Sequence, residues 1–177
     1  FCAFMSRELS WKMVAEAGQE TLKISGMIMW IFMASHAFST AYNAMGSQDM
    51  IMELVNYLPG QGWGALVAML GLVFLLGMVL DPIGIMLITL PIFMPIVELH
   101  GIDPIWFGIM FIIMVEIGYM TPPFGFNLFY LKGVAPEGVT MGDIYRSAIP
   151  YVAVILLGLL IVAMIPSLAL WLPSKLF

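Results

Sequence analysis

The stretch Glu116-Ile-Gly-Tyr-Met-Thr-Pro-Pro-Phe-Gly-Phe-Asn127 decides how this chain folds. It interrupts a long apolar run, yet it cannot continue as a helix. Pro122 and Pro123 lack the backbone N–H that a helix needs, and their rings obstruct the preceding turn. Gly118 and Gly125 admit backbone angles that other residues resist. A carboxylate, Glu116, opens the segment and an amide, Asn127, closes it. Irregular backbone at membrane depth must be buried in protein or line a wet cavity, because lipid cannot satisfy freed N–H and C=O groups. A packing kink is the simpler alternative. The clustering of Gly, Thr, Pro, Pro, Gly and Asn favours a functional break, of the kind transporters use to present carbonyls and helix ends to solutes.

Composition points to the same setting. Hydrophobic residues make up 62% of the 177-residue chain and charged residues 10%, against roughly 25% charged in soluble domains. A soluble chain this apolar could not cover its surface. The expected class is therefore an all-α polytopic protein of the lipid bilayer. The 17 Met and 12 Phe are spread along the chain and read as packing and lipid-facing groups. With 6 basic residues against 11 acidic ones, the chain has no basic face for nucleic acid. Cys2 is the only cysteine, so neither an internal disulfide nor a thiolate metal cage can form. No nucleotide-binding glycine loop, zinc spacing or Ser-His-Asp order is visible. Any transport must then draw on ion gradients.

Charge-free runs mark the spans, since a bilayer core takes about 20 apolar residues per helix. Residues 1–23 read as an interfacial amphipathic helix: Trp11, Met13, Val14 and Leu22 mix with Lys12, Glu16, Glu20 and Lys23, and Ser10 is a candidate N-cap. Residues 24–62 hold a transmembrane helix over 24–46 and a periplasmic connection. Residues 63–99 read as a re-entrant helical hairpin. Its apolar arms, 63–80 and 83–97, have 18 and 15 residues, at or below the length of a full crossing. Asp81-Pro82 forms the tip, and Pro91 and Pro95 make the second arm irregular. Residues 100–132 carry the broken transmembrane helix. Residues 133–177 hold a polar loop and a last helix over 147–172, interrupted late by Pro166. Arg7, Lys12, Lys23, Lys132 and Arg146 then share one side, which the positive-inside rule makes cytoplasmic.

Several residues inside these spans could carry chemistry. Asp81 could cap the second arm, bind a cation or take up a proton. Gly77, one turn earlier, lets the tip bend and exposes its carbonyl. Glu116 has no obvious basic partner in the chain. Thr121 offers hydroxyl and carbonyl oxygens, and Asn127 could bind main chain or a polar solute. His36 reads as a packed helix residue.

At this point the chain resembles a known family. The segment 116–129, together with Gly77-Met-Val-Leu-Asp-Pro82, His100-Gly-Ile-Asp-Pro-Ile-Trp-Phe-Gly108 and Ile165-Pro-Ser-Leu-Ala-Leu-Trp-Leu-Pro173, is similar in content and order to the large membrane subunit of tripartite ATP-independent periplasmic (TRAP) transporters. The resemblance covers nearly the whole chain. It implies the C-terminal half of the subunit, one of two inverted repeats of an elevator-type transporter. It also implies sodium-coupled uptake of an organic anion, such as sialic acid or a C4-dicarboxylate, across the bacterial inner membrane. The implied partners are a periplasmic substrate-binding protein and a small membrane subunit, separate or fused. By position, Gly77, Gly118, Thr121 and Phe124 match a sodium site built mainly of backbone carbonyls. Asp81 shapes the tip, and Pro122, Pro123 and Asn127 face the substrate cleft. The scaffold side of the repeat would be 24–46 and 147–172, and the moving side the hairpin and the broken helix. Two other classes stay open on the residues alone: an intramembrane enzyme with Asp81 and Glu116 as its catalytic pair, and a non-transporting scaffold.

Overall fold

The computed structural model describes residues 10–46, 50, 51, 53, 55, 57, 59, 60, 62–123, 125–136 and 138–176. The described chain is helical: α1 (Trp11–Ala44), α2 (Gly62–Gly77), α3 (Pro82–Leu99), α4 (Pro104–Tyr119), α5 (Phe126–Val134), α6 (Met141–Met164), and the short turns α7 (Ser167–Leu170) and α8 (Pro173–Leu176).

The helix starts follow from sequence. In both Asp81-Pro82 and Asp103-Pro104 the Asp is the N-cap and the Pro is the first helical residue. Proline loses nothing at that position, because the N–H it lacks has no intrahelical partner there. Asp81 accepts from Gly84 N at 3.0 Å. Asp103 accepts from Ile105 N and Trp106 N at 2.8 and 3.0 Å. Thr140 and Asp143 form a reciprocal capping box at the start of α6. Ser10 accepts from Met13 N at 3.2 Å, one turn into α1.

Helix α1 is continuous through the polar-to-apolar boundary at 23/24. Neither Gly18 nor Gly26 breaks it, and Lys12–Glu16 and Lys23–Glu20 pairs line its exposed early turns. At 34 residues it is about 51 Å long, well beyond the roughly 30 Å hydrocarbon core. Its first turns therefore project past that core or run at its surface.

Helices α2 and α4 run parallel. Trp63 meets Trp106 edge-on near their starts, with ring centroids 5.9 Å apart. Gly77 meets Gly118 near their ends, where a Cβ on Gly118 would lie 2.8 Å from Gly77 Cα. Helix α3 returns from the tip, and a Cβ on Gly62 would lie 3.3 Å from His100 Cβ. The hairpin α2–α3 therefore enters and leaves at one end of the bundle. Its second arm is longer than the sequence suggested. Capping by Asp81 and continuation past Val97 give 18 residues, so α3 matches a membrane span by length and composition, as do Trp11–Tyr42 and Met141–Met164. Helices α2 and α4 are shorter apolar helices.

The core lies between α2, α3 and α4, where Val73, Ile85, Val97, Phe107, Met110 and Ile117 are fully buried. Between helices in lipid, such contacts hold by close packing and dispersion rather than by exclusion of water. Large apolar side chains such as Ile112, Ile149, Val154 and Leu157 point outward, as a lipid-facing surface requires.

Helix α6 runs antiparallel to α4. The Trp106 indole N–H donates to Val162 O at 2.8 Å, and Tyr145 OH donates to Pro123 O at 3.3 Å at the other end. Helix α6 lies on α4 and α5, and α1 packs on α3.

Candidate site where four helix ends converge

The C-terminal ends of α2 and α4 and the N-terminal ends of α3 and α5 come together. Gly77 lies against Gly118, and Tyr119 OH donates to Leu80 O at 3.1 Å, tying the hairpin tip to the end of α4. The connector 120–125 then turns the chain into α5, with Gly125 in the left-handed region at φ 57°. The Pro122–Pro123 peptide is cis. Asn127, in the first turn of α5, donates its side-chain amide to Glu116 Oε1 at 2.8 Å, bridging the flanks of the connector.

Helix ends have opposite polarities. The last turn of a helix exposes carbonyl oxygens and the first turn exposes N–H groups, with the partial charges to match. Among the described residues, no donor reaches the carbonyls of Gly77, Met78, Met120 or Thr121. Such oxygens suit a hard cation, which is bound by several neutral oxygen ligands without burying further charge. The start of α5, which has no side-chain cap, offers N–H groups and positive potential to an anion nearby, whereas the start of α3 is already capped by the Asp81 carboxylate.

The expected residues fall as follows. Gly77 and Gly118 are buried and in backbone contact. Gly118 lies inside α4, so its smallness lets two helices touch; the irregular backbone begins two residues later. Thr121 is half-buried, and its hydroxyl donates to Ile117 O at 2.7 Å, leaving the oxygen's lone pairs for another partner. Asp81 is exposed and serves as a cap; a Cβ on Gly84 would lie 2.9 Å from its Oδ1, so Gly84 makes room for it. Pro122 and Pro123 are exposed at the surface of the connector. Asn127 turns its NH2 to Glu116, so the carboxylate, for which the sequence offers no obvious basic partner, is met by an amide. Phe124 lies outside the described residues.

Reading the sequence missed Tyr119 and Tyr145. Both are phenols at the edge of the break that bond to carbonyls on neighbouring segments. The available signal was their amphipathic character beside freed carbonyls, since a buried Tyr O–H almost always finds an acceptor. Beside Tyr145, a cleft of about 330 Å³ is lined by Thr121, Pro122, Arg146, Ile149 and Val152 among others.

Three helices long and apolar enough to cross a membrane, packed with shorter apolar helices, define the class of multi-pass membrane protein. Comparison with known proteins supplies the particular family. Residues 1–168 match the family model described as "Tripartite ATP-independent periplasmic transporter, DctM component", and the chain belongs to that family. It is 34% identical over 163 residues to the C4-dicarboxylate TRAP transporter large permease protein DctM of Pseudomonas aeruginosa, covering 92% of this chain and 37% of that protein. It is 32% identical over 153 residues to the 2,3-diketo-L-gulonate TRAP transporter large permease protein YiaN of Escherichia coli, covering 86% of this chain and 35% of that protein. It is 27% identical over 168 residues to the isethionate TRAP transporter permease protein DctMQ of Oleidesulfovibrio alaskensis, covering 95% of this chain and 26% of that protein. The chain thus spans well under half the length of these relatives. No solved structure matches it. The relatives are transporter permeases and not enzymes, which removes the reading of Asp81 and Glu116 as a catalytic pair.

Proposed function

We propose that this chain is the C-terminal repeat of a sodium-coupled, elevator-type permease that imports a small organic anion across the bacterial inner membrane. The observation that carries the reading is the contact of the ends of α2 and α4 at Gly77 and Gly118, followed on both segments by carbonyls (Gly77, Met78, Met120 and Thr121) that no donor among the described residues reaches. Two C-terminal ends favour a cation, and the uncapped start of α5 favours an anion. A transporter that couples the two needs both kinds of end close together.

In this reading the hairpin is re-entrant, with its tip and the connector lying within the membrane. Gly77, Gly118, Thr121 and Phe124 surround sodium through oxygen atoms, while Pro122, Pro123 and Asn127 border the anion. Asp81 holds the tip in shape. C4-dicarboxylate, 2,3-diketo-L-gulonate and isethionate, the solutes in the relatives' names, are all small organic anions. A periplasmic binding protein delivers the anion, and a small membrane subunit, separate or fused, completes the permease. Because the chain is one repeat, transport belongs to the full-length protein.

The test is uptake into proteoliposomes holding the full-length permease with its small subunit and binding protein. An inward sodium gradient should drive accumulation of the anion, and replacing sodium with potassium should abolish it. Accumulation that persists without sodium would reject the coupling.

A further inference from the structure

We propose that Ser35 and Ser39 of α1 are positioning residues for transport: Ser35 bonds a carbonyl that a proline of α3 sets free, and Ser39 stands one turn on, in the same cleft as the second freed carbonyl. In an α-helix the carbonyl of residue i accepts from the N–H of residue i+4. Pro91 has no N–H, so Leu87 O is left without its intrahelical donor. Pro95 does the same to Pro91 O. Both prolines lie inside α3. Ser35, buried on the facing side of α1, donates its hydroxyl to Leu87 O. The partner of that hydroxyl is thus the carbonyl that Pro91 leaves open.

The spacing repeats. Ser35 and Ser39 stand four residues apart on α1, and the two freed carbonyls stand four residues apart on α3. Each step is about 6 Å along its helix. Ser35, Ser39, Leu87 and Pro91 line one cleft of about 290 Å³ between the two helices. A slide of one turn therefore passes a freed carbonyl from one serine hydroxyl to the other, or one hydroxyl from the first carbonyl to the second. One-turn jumps between two packed registers are a known form of conformational change. Without a second donor, a sliding helix would strand an open carbonyl in apolar surroundings at each stroke.

The same chemistry occurs elsewhere without this spacing. Pro166 frees Val162 O, and the Trp106 indole takes it. Those partners lie inside the body formed by α4 and α6. Ser35 instead joins α1 to the hairpin, with Ser39 lining the same cleft. The inference rests on the reading that the hairpin moves against α1.

Its test uses the full-length permease, reconstituted with its small subunit and binding protein. Ser35→Ala should slow uptake about fivefold, which is about 1 kcal/mol at tenfold per 1.4 kcal/mol. Ser35→Thr should restore the rate, since it keeps the hydroxyl, and Ser39→Ala should slow uptake as well. Pro91→Ala returns an intrahelical N–H to Leu87 O, so adding Ser35→Ala to it should have no further effect. An equal fall from Ser35→Ala in both backgrounds overturns the pairing. A second measurement does not depend on these variants folding equally well. Cysteines placed by Phe32→Cys and Met86→Cys, in a permease otherwise free of cysteine, are bridged across the same cleft with mercuric ion. Bridging should arrest uptake, and excess thiol should restore it. A bridged permease that transports at the unbridged rate overturns the sliding contact. If uptake proves independent of sodium, the proposed coupling fails, while the bridge still reports whether α1 and α3 slide.

Discussion

A methyl group on Gly118 would lie 2.8 Å from the Cα of Gly77, with Gly77 C at 3.0 Å and Phe74 O at 3.1 Å. All three are backbone atoms, so no side chain can rotate away. Gly118→Ala should destabilise the permease by about 1–3 kcal/mol, the usual range for overpacking. Gly108→Ala, on the same helix with nothing within 4 Å of the added carbon, should be neutral or slightly stabilising. Thermal unfolding in detergent checks both. Equal stability of the two variants would show that α2 and α4 do not touch at this point. Asp81 separates charge from capping. Asp81→Asn keeps an acceptor for Gly84 N and should retain both stability and uptake. Asp81→Ala removes the cap, at a cost of about 1 kcal/mol. Full stability with lost uptake in Asp81→Asn would mean that the charge itself acts on the ion.

At the scale of elements, much was legible because the signals are local. Prolines and glycines mark the connector 120–125, and Asp-Pro pairs mark the starts of α3 and α4. Charge-free runs mark the long helices. What was not legible depends on partners distant in sequence. The exposed early turns of α1 carry the polar pattern of a separate interfacial helix, yet no breaker divides them from the span. The packing of α6 on α4 and α5 is set by Trp106, Tyr145 and the faces of those helices; spacing along the chain does not encode it. The amide partner of Glu116 was hidden for the same reason, since the connector must fold before Asn127 can reach back. The arrangement of elements predicts topology. The turn at 100–103 and the loop at 132–140 lie at opposite ends of α4 and α6, and the basic residues place the loop in the cytoplasm. A cysteine replacing Gly101 should react with an impermeant maleimide in intact cells, and one replacing Gly138 only after permeabilisation. The reverse pattern would invert the model.

For the whole molecule, the proposed function puts one sodium ion between the tip of the hairpin and the connector, with the anion beside it. Thr121 is the residue through which this can be probed with least disturbance. Its hydroxyl sits at the junction, on a half-buried residue, and among the described residues bonds only to the turn below it. Thr121→Ser keeps the oxygen, and Thr121→Val removes it at nearly constant shape. The decisive measurement is the sodium dependence of uptake by the full-length permease in proteoliposomes, with binding protein present and sodium varied. The account predicts that Thr121→Val raises the sodium needed for half-maximal uptake about tenfold, equivalent to about 1.4 kcal/mol, while Thr121→Ser stays near the unaltered protein. A sodium activation curve left unmoved by Thr121→Val, in permease of unchanged stability, would contradict the proposed site.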